Sequence, residues 1–198
     1  MAGAIALIAS RNNVAGMYNV MHKIVVMGVS GSGKSTLARE LAGALEGVFI
    51  EGDEYHSAQS QDKMGRGIAL CDSDREPWLD CLAERMNDIR GTAVLSCSAL
   101  RRSYRRRLRA RVADLKFVFL DISLSEAVAR VAGRLDHKFP ATLVADQFMN
   151  LESPVGEAGV LYLSAAQDCA FSMKDVLQWL SAVHGVAKKS DKPASKRS

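Results

Sequence analysis

Lys34, Ser35, Glu51 and Asp53 are residues whose types and spacing suit phosphoryl transfer. The stretch GVSGSGKS, residues 28–35, follows the apolar run Ile24-Val25-Val26-Met27. It fits the pattern Gly-x-x-x-x-Gly-Lys-Ser, in which glycines let backbone N–H groups turn onto phosphates with no Cβ in the way. Gly28, Ser30, Gly31, Ser32 and Gly33 supply that cradle, Lys34 reaches the β- and γ-phosphates, and the Ser35 hydroxyl joins a Mg²⁺ shell. Thr36 lies in the first turn of the following helix, whose positive end adds to the attraction. Glu51-Gly52-Asp53 comes next, with two carboxylates spaced to point the same way along an extended chain. Asp53 suits the acceptance of a proton from an attacking hydroxyl, and Glu51 suits support of the metal and its waters. A solvated acidic turn is the competing reading of 51–53, and the nearby cradle reverses the odds against it.

These groups need a frame. KIVVMG (23–28), VFIEGD (48–53), a stretch near 93–97, LKFVFLD (115–121) and VLYLSAA (160–166) read as strands. Between them lie helical patterns: 35–47 with Leu37, Leu41 and Leu45 on one face, a helix opened by Pro77 and closed by Gly91, an arginine-rich helix at about 101–111, a helix at 124–135 behind a Ser123/Glu126 capping box, and a final helix ending at Gly185. Continuous apolar strands interleaved with helices imply a parallel sheet covered on both faces, which places 51–53 at its ligand-binding carboxyl edge. The chain divides into a leader at 1–21 expected to be disordered, one α/β domain at 22–187, and a polar tail at 188–198, also expected to be disordered.

Bulk properties remove several function classes. The net charge of +4 resides in the tail, which holds five Lys/Arg against one Asp; the rest of the chain balances. Charge alone therefore gives no case for nucleic acid. Four cysteines at 71, 81, 97 and 169 form no C-x-x-C pair, which argues against a disulfide framework or structural zinc and points to a reducing, cytoplasmic compartment. No apolar run has the length of a membrane span. There is no guanine-reading N-K-x-D stretch, and the strand at 93–97 ends without a carboxylate, so a compact phosphotransferase is favoured over a switch GTPase or a motor.

Residues 56–79 carry His56, Lys63, Arg66 and Arg75 with little period, and read as a cationic loop suited to an anionic acceptor. The arginine run at 101–111 lacks interleaved aromatics apart from Tyr104 and reads as a mostly solvated helix with one or two arginines turned inward.

At this point the motifs can be taken together. GVSGSGKS, EGDEYH, DKM-x-x-G-x-x-L-x-D-x-D-R-x-PWL, CSAL-x-x-x-YR, R-x-x-x-R-x-x-H and QF-x-x-LESP follow one another between about residues 23 and 182, and together they resemble the gluconate kinase (gluconokinase) family. The PWL and CSAL blocks are far more specific than the cradle. The resemblance implies a P-loop nucleoside-kinase-like three-layer fold, with a five-stranded parallel sheet in the order 2-3-1-4-5 and a small helical lid at about 130–142. It implies ATP- and Mg²⁺-dependent phosphorylation of D-gluconate at its 6-hydroxyl, giving 6-phospho-D-gluconate. Asp53 is then the base, and His56, Lys63, Arg75 and Arg105 are the candidates for the hydroxyls and carboxylate of the sugar acid. Arg130 is expected against the adenine or phosphates, and Arg134 is expected to neutralise charge in the transition state, although an arginine pair four apart is ordinarily a solvated helix face. The sequence departs from the family at His137-Lys138-Phe139, where the family commonly has His-Phe, and this puts a lid contact of His137 in question. The implied partner is a small molecule, with no nucleic acid or membrane and with a hint of a homodimer. Two alternatives stay open: a shikimate-like kinase of the same fold acting on another small polyol or acid, and a non-catalytic nucleotide-binding module.

Overall fold

The computed structural model describes residues 21–133 and 142–190. Five strands, β1 (Lys23–Met27), β2 (Val48–Glu51), β3 (Ala93–Ser96), β4 (Lys116–Asp121) and β5 (Val160–Ser164), form one parallel sheet in the order β2-β3-β1-β4-β5. The expected order holds. Seven α-helices accompany them among the described residues: α1 (Lys34–Ala44), α2 (Ala58–Gly65), α3 (Asp72–Asp88), α4 (Arg102–Arg111), α5 (Leu124–Ala132), α6 (Thr142–Asn150) and α7 (Cys169–Ser190).

Period-2 alternation along strands that are buried on both sides divides the core in two. Ile24, Val26, Val94 and Val118 pack with Leu37 and Leu41 of α1, Ala127 of α5 and Leu180 of α7. Val25, Met27, Leu95 and Phe117 pack on the other face with Leu79, Leu82 and Met86 of α3 and Leu108 of α4. Lys23, at the start of the central strand, donates to the carbonyls of Met86 (2.7 Å), Ile89 (2.5 Å) and Gly91 (3.2 Å), so one ammonium satisfies the carboxyl end of α3.

The departures from expectation have physical causes. Residues 56–79 are not a loop. Ser57 caps α2 by accepting the Ser60 N–H at 3.1 Å, and α3 begins at Asp72 behind a Cys71/Asp74 capping box, not at Pro77. Pro77 lies inside α3, where it forfeits the bond to the Ser73 carbonyl; burial of Trp78, Leu79 and Leu82 in the turn it opens offsets that cost. The last helix passes Gly185 and runs to Ser190, three residues into the expected tail, because the residues after the glycine are good helix formers. Helix α6 was not expected at all, although Leu143, Val144, Phe148 and Leu151 have a helical recurrence, and the last three pack on the core. The expected leader up to residue 20, the lid core at 134–141 with Arg134, His137 and Lys138, and the tail from 191 lie outside the described residues.

Candidate active site

The chain leaves β1 at Met27 and winds through residues 28–33 before α1 starts at Lys34. Close approach dictates two of the glycines. A Cβ on Gly28 would stand 2.6 Å from the Leu120 carbonyl oxygen, and one on Gly31 2.8 Å from that of Ala127. Gly33 is the N-cap of α1 at φ 94°, with nothing within 4 Å of where a Cβ would be, so the amino end of the helix opens onto free space. Beside it the Ser32 hydroxyl is buried with no hydrogen-bond partner among the described residues. A nest of amides, a helix amino end and an orphaned hydroxyl together fit a phosphate chain.

The other groups expected at the donor side gather there. Lys34 Nζ donates to the Val29 carbonyl at 3.0 Å, folded back along the loop it is to serve. Ser35 Oγ lies 3.2 Å from Ser96 Oγ, and Ser96 is the register partner of Glu51, so Ser35, Ser96 and Glu51 stand side by side across α1, β3 and β2. Among the described residues no cluster of three or more His, Cys, Asp or Glu could hold a metal ion. A hydroxyl and a single carboxylate suit a Mg²⁺ that keeps most of its shell as water and phosphate oxygens. Arg130 of α5 donates to the Ala165 carbonyl at 2.9 Å and reaches the Gly31 carbonyl at 3.5 Å, which sets it against the cradle. Thr36 is exposed in the first turn of α1.

Facing the cradle is a cleft of about 560 Å³ lined by Ser30 and Lys34 on one side and by Asp53, His56, Arg75 and Trp78 on the other. Asp53 rides on a 3₁₀ turn, Gly52–Tyr55, directly after β2. Gly52 is required there, since a Cβ would come within 2.4 Å of the Ser96 carbonyl oxygen. The indole N–H of Trp78 donates to the Gly52 carbonyl at 2.8 Å, and its ring stacks on His56 with centroids 4.1 Å apart and planes 15° from parallel. One buried tryptophan therefore fixes both the turn that carries Asp53 and the imidazole beyond it. Burial pushes the His56 pKa below the ordinary histidine value; the Asp53 carboxylate opposes this and the Arg75 guanidinium adds to it, so the imidazole is neutral at pH 7. Arg75 is braced by its Nε bond to the Leu70 carbonyl (3.2 Å) and lies 5.8 Å over the Tyr104 ring.

Two expected acceptor residues are elsewhere. Lys63 turns away to an ion pair with Asp74 at 2.7 Å, where it braces the start of α3. Arg105 is fully buried: it pairs with Glu157 at 2.5 Å and donates to the carbonyls of Ala99 (3.0 Å) and Leu100 (2.8 Å). Its donors are spent on protein, two of its bonds going to the turn that follows Ser98. The rest of the arginine run is likewise paired more than solvated, with Arg107 and Arg111 on Asp80 and Arg109 on Glu157. Trp78, Ser98, Asp146 and Gln147, none of them singled out by residue type and spacing, also line the cleft. The PWL, CSAL and QF blocks contain Trp78, Ser98 and Gln147, whereas Asp146 lies outside every block.

A phosphate cradle and a carboxylate turn on facing sides of one cleft, at the carboxyl edge of a sheet in this strand order, define a P-loop kinase. A family model described as an AAA domain matches residues 24–154. Gluconokinase of Gluconobacter oxydans (strain 621H) is 39% identical over 163 residues, covering 80% of this chain and 91% of that protein. Gluconokinase of Arabidopsis thaliana is 38% identical over 161 residues, 73% of this chain and 82% of that one. The crystal structure of a gluconokinase from Sinorhizobium meliloti 1021 superposes with a TM-score of 0.79 at 40% identity, covering 86% of this chain and 98% of that one. The chain belongs to the gluconokinase family. The Mycobacterium tuberculosis APS kinase CysC, with a TM-score of 0.59 at 20% identity over 81% of this chain and 98% of that one, shares the fold alone.

Proposed function

We propose that this chain transfers the γ-phosphate of ATP to the 6-hydroxyl of D-gluconate, giving 6-phospho-D-gluconate and ADP. The observation that carries the reading is the shared cleft: Lys34 of the cradle and Asp53, His56 and Arg75 of the acceptor side face the same space. Membership of the gluconokinase family supports the choice of acceptor.

In this reading the Gly31 and Gly33 amides, the Ser32 hydroxyl and Lys34 hold the phosphates, and Arg130 lies along the nucleotide. Ser35 and Glu51 would hold Mg²⁺, which would screen charge on the phosphate oxygens. Asp53 accepts the proton of the 6-hydroxyl as its oxygen bonds to the γ-phosphorus; the bond from that phosphorus to the β–γ bridging oxygen breaks, and ADP departs with the electron pair. Arg75 pairs with the gluconate carboxylate through its planar fork, and neutral His56 exchanges hydrogen bonds with hydroxyls. Arg134 completes the set as the cation that neutralises the transferring group. A cytoplasmic location is part of the same proposal. Among the described residues no helix is long and apolar enough to cross a membrane.

The test is a substrate panel: the purified chain with Mg²⁺, ATP and gluconate, shikimate or other sugar acids, followed by ³¹P NMR of the product. Turnover confined to gluconate, with a C6 phosphate ester, is expected. An inert protein, or one that prefers another acceptor, overturns the reading.

A further inference from the structure

Helix α6 brings Asp146 and Gln147 to the wall of the cleft. Gln147 Oε1 accepts the Ser30 amide N–H at 2.6 Å, which ties α6 to the phosphate cradle. One turn on, Asn150 Oδ1 accepts from Arg101 Nε at 3.2 Å, and Arg101 pairs at 2.9 Å with Asp72 in the first turn of α3, the helix of Arg75 and Trp78. Leu143 and Val144 are buried beneath, so the helix is fixed in roll as well as at both walls. Asp146 is therefore held toward the cleft by contacts that are not its own.

The carboxylate of Asp146 is half-buried and has no hydrogen-bond or ion-pair partner among the described residues. A carboxylate partly withdrawn from water on a cleft wall is under-satisfied until a ligand donates to it. The ligand groups can be sorted by chemistry. The cations facing the cleft, Lys34 and Arg75, suit phosphate and carboxylate, and Asp53 is engaged by the reacting hydroxyl. The other hydroxyls of a polyhydroxy acid need strong acceptors, and an ionised carboxylate is the strongest that a side chain offers.

We infer that Asp146 is a specificity-determining residue that accepts hydrogen bonds from non-reacting hydroxyls of the acceptor, and that Gln147 positions it by clamping α6 to the Ser30 amide. The inference rests on the sugar-acid reading above. It makes α6 the element that selects hydroxylated acids, and it disfavours acceptors that present a second carboxylate at that wall.

The experiment uses the full chain with Asp146→Ala, Asp146→Asn and Gln147→Ala, with KM and kcat measured for both substrates. Asp146→Ala is expected to raise the gluconate KM about ten- to a hundredfold, the loss of a hydrogen bond to a charged group, with the ATP KM within about twofold. Asp146→Asn keeps the shape and one acceptor oxygen and gives a smaller rise. Gln147→Ala also raises the gluconate KM, and its effect is less than multiplicative with Asp146→Ala because both act through one carboxylate. Across 2-, 3-, 4- and 5-deoxygluconate, at least one analogue penalised by the parent enzyme suffers no added penalty in Asp146→Ala. An unchanged gluconate KM in Asp146→Ala, a rise in the ATP or Mg²⁺ requirement in its place, or full independence across all four analogues overturns the inference while the parent enzyme still phosphorylates gluconate. A parent enzyme inert toward gluconate removes the underlying reading and this inference with it.

Discussion

The phosphate cradle comes from a single unbroken stretch, residues 28–36, whereas the acceptor wall is assembled from the turn at 52–55, His56, α3, the turn at 97–100 and α6. The first works through backbone: amides converge because Gly28 and Gly31 leave no room for a Cβ and Gly33 takes a positive φ. The second works through side chains whose placement depends on partners far away in sequence, such as Trp78 on Gly52. The recipient of a phosphoryl group is thus written in tertiary contacts, while the capacity to bind the group is written locally.

The largest test of this division is Asp53→Asn. It removes the proposed proton acceptor from the acceptor wall and leaves the cradle intact, so kcat should fall by about 10²–10⁴-fold while nucleotide affinity holds. Steady-state kinetics with equilibrium nucleotide titration measures both. A kcat within about threefold of the parent would take Asp53 out of its role.

Two arginines extend the comparison. Arg105→Leu should destabilise the fold by about 3–5 kcal/mol, because it takes the buried partner from the half-buried Glu157, leaving it the more exposed Arg102 and Arg109, and strands two carbonyls without their donor. The folded fraction should keep a near-normal gluconate KM. Arg75→Leu should do the reverse, with little change in the denaturant midpoint and a gluconate KM raised at least about tenfold. Urea melts paired with kinetics separate the two, and a common phenotype would erase the distinction between clamp and ligand.

Acid should reveal the same separation. The folded protein keeps His56 deprotonated below the range where the unfolded chain protonates at 6.5, so its contribution to stability is complete above that value and fades as pH falls through the lowered one. The gluconate KM should accordingly stay flat from about pH 8 to 6.5 and rise only at lower pH. The Arg105 hydrogen bonds hold Glu157 down at about 2, so the buried clamp outlasts the site: its stability is full above 4.5 and is lost only as pH approaches 2. A KM that climbs already through the ordinary histidine range would show His56 to be solvated.

The strands, the cradle and the carboxylate turn were legible because each is carried by a short local pattern, whereas the strand order came with the family resemblance. Apolar runs specify strands, and Gly-Lys-Ser spacing specifies a loop. Pro77 misled because a proline more often opens a helix than sits in its sixth position, and the Cys71 cap that starts α3 is an uncommon capping residue. The arginines misled for a deeper reason. Arg75 and Arg105 are the same residue type in the same kind of motif block, and what separates them is Glu157, 52 residues from Arg105 and in no motif. Asp146 was passed over because nothing marks a carboxylate in an apolar helix until that helix is seen between two walls.

Lys63 supplies the smallest effect and the finest discrimination. By composition it is as good a ligand for a sugar acid as Arg75, since both lie in one polar stretch within 12 residues. The structure spends it on Asp74, whose carboxyl the ammonium, with the Cys71 contacts, holds well below the usual carboxylate range. Lys63→Met should therefore change the gluconate KM by less than about twofold, because a partly exposed pair contributes little and the Cys71 N–H still caps through Asp74. If the KM instead rose as far as in Arg75→Leu, Lys63 would have to leave Asp74 when the acceptor arrives. The acceptor wall would then be completed by the substrate, and its ligand-free form would understate how many of its cations reach the sugar acid.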